Sequence, residues 1–380
     1  MSRAFRYAAL AATLSFASAR AQTSPPLSRE AVAARVDSMA RVYMAETGPA
    51  SMSVAISRGS DVLVERAWGV TDIATKRPAT AATVYKIGSI AKQFTAVLLL
   101  KQVERGKLAL TDSIGRYLTT GLRPEWRPLT VEQLLNHTAG MQNDLPREAY
   151  RRPEEEDSPA TLIAWAARDT MRFAPGTRFA YSNVGYLLLG ALVEKLYGKP
   201  YGEALLEEIA RPLGLRALRW CTDPGKDTTV ATGHEYLGPG KLARTPYAHP
   251  SKSLGSGGIC STAGDLAAWN RALHGGRVLS PASYAAMTTP RGAARGYGFG
   301  LQFSTRPAPW NAYVMYHLGG IVGFTAQNAW FPAESLSVTV LHNSQGNGLP
   351  TTFALDLARA VSATVAQTPA SGAAPVDTRP

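Results

Sequence analysis

Ser89 and Lys92 stand three residues apart in the stretch GSIAKQF, residues 88–94. Residues at that spacing share one face of a helix, so the two side chains can touch. A serine hydroxyl is a poor nucleophile until something takes its proton. A lysine in dry surroundings loses part of its preference for charge and can accept that proton, or hold a neighbouring base in place. A helix N-terminus at Ser89 adds a positive dipole that favours negative charge developing there. The spacing alone is common, and a surface lysine beside an N-cap serine would produce it too. Two further stretches add weight. YSN at 181–183 follows FAPGTRFA and opens a helical run. Tyr181 becomes a base if cations lower its pKa, and Asn183 can donate to a substrate carbonyl or orient Lys92. HLGG at 317–320 ends a strand candidate. There His317 can touch the nucleophile's surroundings or a substrate group, while Gly319 and Gly320 permit close backbone approach.

These residues need elements to hold them. Ser89 to Glu104 reads as a helix apolar on nearly all sides, which belongs in the middle of a domain. Ser28 to Glu46 repeats apolar residues at three- and four-residue steps, and Met52–Ile56 and Val62–Val64 flank a turn as a hairpin. From about 112 to 250 the texture becomes helices and long loops. A capping box is expected at Thr130 and Gln133, and a strong helix over Tyr186–Tyr197. Past GSGGIC (255–260), Thr262 and Asp265 cap another helix. Strand candidates follow at Gly298–Phe303, Ala312–His317, Phe324–Phe331 and Leu336–His342, and Phe353–Val365 reads as a closing helix. The first hairpin alone has too few sheet partners. The order therefore predicts an α/β (α+β) fold with an antiparallel sheet flanked by helices. The sheet is built from both chain ends (28–111 plus 251–365), with a mostly helical insertion at 112–250.

The three motifs in this order resemble the serine β-lactamase and penicillin-binding family, in the branch with class C β-lactamases, DD-peptidases, esterases and D-amino-acid peptidases. The resemblance runs from about Val54 to Leu341 and includes TVYKIGSIAKQFTA, LTVEQLLNHTAGM, FAPGTRFAYSNVGYLLLGALVE, RPLGL, GSGGICSTAGDLAAW, YGFG and HLGGIVGF. It implies that Ser89 is acylated with Lys92 as its proton partner, and that Tyr181 is the general base and later the acid. Asn183 would bind Lys92 and a substrate amide. His317 and Gly319 would stand at the family's K-T-G or H-x-G position, and the N–H groups of Ser89 and Gly320 would form an oxyanion hole. A lysine in the third motif offers a fixed cation to a substrate carboxylate, whereas a histidine is mostly neutral at pH 7. His317 therefore suits an esterase, a peptidase or a broader hydrolase. The expected function is a serine hydrolase forming an acyl-enzyme on an ester, amide or β-lactam carbonyl. The alternatives are a cell-wall DD-peptidase or β-lactamase, or a non-catalytic penicillin-binding sensor. For His137, in NHTAG, the resemblance implies a structural turn below the site, and its neighbours supply capping chemistry.

The ends and the composition bound the rest. Arg3 and Arg6, the apolar run Tyr7–Ala17 and Ala19-Arg20-Ala21 read as a signal peptide over 1–21, with a leader at 22–27. This implies a secreted or periplasmic protein. No later stretch is apolar enough to span a bilayer, and residues 366–380 read as a disordered tail. The net charge is +12, three arginines of it in the first 21 residues. No Lys/Arg block or aromatic nucleic-acid motif accompanies it, so nucleic acid is not an expected partner. The expected partner is a small-molecule or peptide substrate with a reactive carbonyl, bound by a monomer. The six histidines lack metal-ligand spacing, and no cofactor is expected. Cys221 and Cys260 are too few for a disulfide scaffold and read as two buried thiols.

Overall fold

In the computed structural model, residues 28–294, 296–305, 312–346, 348 and 350–362 are described. The signal peptide, leader and tail expected at 1–27 and 366–380 lie outside them. The strands, in chain order, are β1 (Ser51–Arg58), β2 (Asp61–Gly69), β3 (Tyr85–Lys86), β4 (Arg219–Trp220), β5 (His234–Gly238) and β6 (Lys241–Arg244). They continue with β7 (Ile259–Ser261), β8 (Gln302–Thr305), β9 (Tyr313–Ile321), β10 (Phe324–Phe331), β11 (Leu336–His342) and β12 (Ser344–Gln345).

The main sheet has the order β2-β1-β11-β10-β9-β8, and every pair in it is antiparallel. The N-terminal hairpin thus finds its missing neighbour in β11, near the other end of the chain, as the α/β (α+β) reading requires. β1 is buried along nearly its whole length because both sheet faces are covered. Met52, Val54 and Ile56 meet the Arg29–Thr47 and Thr351–Val361 helices, while Ala55 joins the larger core on the other face.

At the centre of that larger core lies the Ala91–Glu104 helix, with every residue from Ala91 to Leu100 buried. Burying Phe94, Val97, Leu98, Leu99 and Leu100 stabilises the fold by roughly 1.5–3 kcal/mol per side chain before entropy is counted. The Thr130–Gln133 capping box forms. The helix expected from Tyr186 begins at Asn183, because the Ser182 hydroxyl accepts from the Gly185 N–H and caps it.

Three local expectations are corrected and one is refined. First, Gly298–Leu301 is a bend rather than strand. The Gly298 N–H donates to Leu301 O and the Phe299 N–H to Met287 O, so β8 starts only at Gln302. Second, β9 does not stop at HLGG but runs through it to Ile321. Third, besides its helices the 112–250 stretch holds β4, β5 and β6. β5 buries His234 and exposes Leu237, the reverse of the pattern that marks a strand. Fourth, Cys221 and Cys260 are a disulfide and not two thiols. The antiparallel β4–β7 pairing sets Arg219 opposite Cys260 and brings the two cysteines to 5.0 Å between Cα atoms.

Candidate active site

Ser89 lies in a single 3-10 turn, Gly88–Ile90, that leads from β3 into the Ala91–Glu104 helix. Its N–H is in the first turn, where no intrahelical acceptor exists. The open edge of β9 faces this turn. Ile321 and Phe324 close a two-residue turn between β9 and β10. Gly320 is then the alternate, non-hydrogen-bonded position, with its N–H turned away from β10. On that other side β8 reaches β9 only as far as Tyr316. Two glycines allow the backbones to meet. A Cβ on Gly319 would lie 2.2 Å from Ile87 O, and one on Gly88 would lie 2.8 Å from Gly320 N. The turn that carries Ser89 and the strand that carries Gly320 thereby approach each other at backbone contact.

Lys92 is one helical turn on and fully buried. Its Nζ lies 3.0 Å from Ser89 Oγ, 2.7 Å from Asn183 Oδ1 and 3.0 Å from Ser256 O. The orientation of the Asn183 amide is fixed by its other end, where Nδ2 donates to Asp144 Oδ1 at 2.7 Å. Two of the three neighbours of Lys92 are therefore pure acceptors. Burial holds the amine well below the usual lysine range, with the charge of Asp144 opposing the shift. A neutral amine donates to Asn183 and Ser256 and keeps its lone pair for the Ser89 hydroxyl.

Tyr181 completes the group. Its hydroxyl hydrogen-bonds with the Ser89 side chain, and Lys92 Nζ sits 4.8 Å from its ring centre. Burial pushes the phenol above the usual tyrosine range, the Ser89 hydrogen bond opposing. The phenolate condition set out from the sequence, cations lowering this pKa, is not met. Tyr181 holds its proton in the resting site.

Beneath them lies a layer of buried rings. His137 adopts a left-handed backbone with φ 61°. Its Nδ1 accepts from the Ser182 N–H at 3.1 Å, and its ring lies 4.3 Å from that of Tyr181, tilted by 41°. His317 is 2% exposed, with Nδ1 2.6 Å from Leu318 O and Nε2 2.9 Å from the Tyr297 hydroxyl. A carbonyl can only accept, so Nδ1 carries the proton and Nε2 accepts from Tyr297. Burial lowers its pKa to about 3, the charge of Lys92 assisting. The substrate contact expected of His317 is therefore not available to its ring, because both nitrogens are taken. Residue 317 instead anchors the strand that carries Gly319 and Gly320.

The Ser89 cleft is also lined by Asp144, Tyr150 and Lys252. The Lys252 ammonium is committed to Asp157 at 2.5 Å and to Ala149 O. Asp144 is different. Its hydrogen-bond donors are the neutral amides of Asn143 and Asn183, and among the described residues no cation lies within ion-pair distance. Sequence reasoning missed Asp144, Ser256 and Tyr297. Asp144 sits in MQNDLP with no spacing to mark it, and Ser256 lies in the glycine-rich stretch GSGGIC, where no side-chain pattern marks its carbonyl. No cluster of His, Cys, Asp or Glu that could hold a metal occurs among the described residues.

Residues 36–363 match the family described as Beta-lactamase. The D-aminopeptidase of Brucella anthropi is 28% identical over 315 residues, which is 80% of this chain and 58% of that protein. The chain therefore spans little more than half the length of the curated relatives it matches. Among solved structures, the octameric penicillin-binding protein homologue from Pyrococcus abyssi superimposes with a TM-score of 0.76. It is 29% identical over 86% of this chain and 76% of that one. A D-stereospecific amidohydrolase from Streptomyces sp. gives 0.70 at 26% identity over 82% and 94% of the two chains. The D-amino acid amidase from Ochrobactrum anthropi SV3 shares the fold, with a TM-score of 0.74 at 22% identity over 86% and 99%. The match extends from the helix that opens the fold to the end of the helix that closes it, and takes in every residue of the Ser89 constellation: the chain belongs to the Beta-lactamase family.

Proposed function

We propose that this chain is an exported serine hydrolase that cleaves amide bonds of small substrates carrying a free amino group, through an acyl-enzyme on Ser89. The observation that carries the reading is the buried Lys92 amine within hydrogen-bond distance of Ser89 Oγ and of two pure acceptors, so that in its neutral form the lone pair is left for the Ser89 hydroxyl. In that arrangement Lys92 takes the Ser89 proton as Oγ attacks the substrate carbonyl. The tetrahedral oxyanion forms between the N–H groups of Ser89 and Gly320. Each such donor typically supplies about 3–4 kcal/mol of transition-state stabilisation. Tyr181 gives its proton to the leaving nitrogen and recovers one from the Lys92 ammonium, so the C–N bond breaks with no net change of charge at the site. Water then clears the ester by the same route in reverse.

Asp144 supports the choice of substrate. Its carboxylate lines the cleft with amide donors only, and among the described residues the cation in the same lining, Lys252, is already paired. A substrate ammonium would find its counter-charge there. The names of the relatives, D-aminopeptidase and D-stereospecific amidohydrolase, suggest an amino acid of D configuration on the acyl side. Export is supported by the N-terminal sequence and by the Cys221–Cys260 disulfide, since such bonds persist in oxidising compartments.

The test compares D-alanine p-nitroanilide with its N-acetyl counterpart, using the wild type and Ser89→Ala. Turnover should vanish in Ser89→Ala without a change in melting temperature. The free-amine substrate should be favoured at least tenfold in kcat/KM. Equal turnover by Ser89→Ala ends the mechanism, and equal use of the acetylated substrate ends the substrate assignment.

A further inference from the structure

A second cavity, of about 480 Å³, lies behind the β9–β10 turn. Ile321 lines the Ser89 cleft and its neighbour Val322 lines this cavity, so the turn is a wall shared by the two. Among the described residues its lining holds three cations, Arg77, Lys86 and Arg244, and two carboxylates, Asp72 and Asp223. On β3, Tyr85 is fully buried and bonds to Ser51 and Ser53. Strand alternation sends Lys86 to the opposite side, into the cavity. It is only 5% exposed. Its Nζ donates to Ala248 O at 2.9 Å and lies 4.8 Å from the Tyr247 ring centre. Two of its three donors are unused among the described residues.

Arg77 enters from another side. Its Nε donates to Thr71 Oγ1 at 2.8 Å and its Nη2 reaches Val230 O at 3.5 Å, both neutral acceptors. Among the described residues neither Arg77 nor Lys86 has a carboxylate within 4 Å, whereas the third cation, Arg244, is tied to Asp72 at 2.6 Å. Asp223 also lines the space, and one of its oxygens already accepts from the Gly225 N–H. Val322 and Phe324 add an apolar wall.

We propose that this cavity binds a carboxylate between Arg77 and Lys86, with a short aliphatic body against Val322 and Phe324. A carboxylate suits the fork of Arg77 and the spare donors of Lys86, and the apolar wall excludes a bare inorganic anion as the best ligand. Burial draws the Lys86 pKa down to about 8, Asp223 opposing, and a bound carboxylate would raise it again by stabilising the ammonium form. The ligand has two possible sources, a free small acid or a carboxylate on the far end of the substrate held at Ser89.

The probe is butyrate, titrated calorimetrically into the full-length protein, with butyramide as the neutral control. Saturable binding of one butyrate is expected, at least tenfold weaker in Arg77→Gln and in Lys86→Gln and not reproduced by butyramide. Arg77 is partly exposed, so Arg77→Gln keeps the test sound if Lys86→Gln does not fold. No saturable binding, unchanged affinity in the folded variants, or equal binding of butyramide overturns the proposal. Binding should persist in Ser89→Ala, which separates this site from the proposed hydrolase activity. In the active enzyme, butyrate competing with substrate assigns the site to the substrate's own carboxylate, and inhibition without competition assigns it to a free acid.

Discussion

Asn183 accepts a hydrogen bond from Lys92, Oδ1 to Nζ at 2.7 Å, across 91 residues of sequence, while its Nδ2 donates to Asp144. The amide thus passes no charge to the lysine. It fixes the amine's position and leaves burial to decide its protonation. Asn183→Asp would put a carboxylate at the same distance and hold the proton on Lys92. Because the reaction needs the neutral amine, the rate rises with pH as Lys92 deprotonates. In Asn183→Asp this rise in kcat/KM should move to higher pH by one unit or more. Asn183→Ala, which removes the acceptor for Lys92 and the donor to Asp144 but adds no charge, should lower kcat without that displacement. A profile that stays in place in Asn183→Asp would rule Lys92 out as the group that titrates.

The approach of Gly88 to Gly320 carries a second prediction. Gly88 has φ +52° and no room for a side chain, since a Cβ would stand 2.8 Å from the nitrogen of Gly320. Gly88→Ala must therefore strain the backbone and also push apart the two N–H groups that would meet the oxyanion. We expect kcat to fall about 10²- to 10³-fold, in line with loss of one donor, with KM changed much less. Kinetics on the p-nitroanilide, beside a melting curve, would check it. A loss confined to KM would place the defect in ground-state binding.

Acid should unfold this protein through its buried histidines. His274, His317 and His342 are each held near a pKa of about 3 by burial, against an ordinary value of 6.5. In the unfolded chain all three take up protons as the pH drops below 6.5, while in the fold they do not. Their contribution is thus fully present above 6.5 and is lost as the pH falls from 6.5 towards 3, at about 1.4 kcal/mol per unit for each histidine. Denaturant titrations at pH 7 and pH 5 should show the decline. Stability that is flat over this interval would mean that the three rings are not buried in solution.

Much of the site was readable because its chemistry is local. Ser89 and Lys92 share a helical turn, and Tyr181 and Asn183 flank the serine that caps the next helix, so each pair is positioned by the element it begins. What escaped was contributed by the fold at large. Asp144 joins the site through the Asn183 amide and through its place in the cleft lining, and Ser256 acts through a backbone carbonyl, which no side-chain pattern marks. His317 stood out in the motif, yet its ring is spent on Leu318 O and on Tyr297. The sheet was legible from its alternating, apolar strands. The short β4 pairs only two residues, too few for any period to show.

The disulfide bears on the site because of where β7 lies. β7 pairs with β3, the strand that feeds the Ser89 turn, and the Ile87 N–H donates to Ile259 O at 3.1 Å. The bend just before it gives Lys92 its third neighbour, Ser256 O. Linking Cys260 to Cys221 closes a loop with a sequence separation of 39. The chain-entropy estimate for a loop of that size is about 4 kcal/mol of stabilisation, exerted on the unfolded chain. The native pairing of β3 with β7 does not depend on it. A Cys221→Ser/Cys260→Ser double variant should therefore lose about 2–4 kcal/mol in denaturant titrations and melt several degrees lower. At 25 °C it should retain kcat/KM within a few-fold of the wild type. An unchanged melting temperature would mean that the two sulfurs are not joined in the folded protein. A full loss of activity at 25 °C in a variant that remains folded would mean that the bond, and not the strand pairing, holds the Ser89 turn in place.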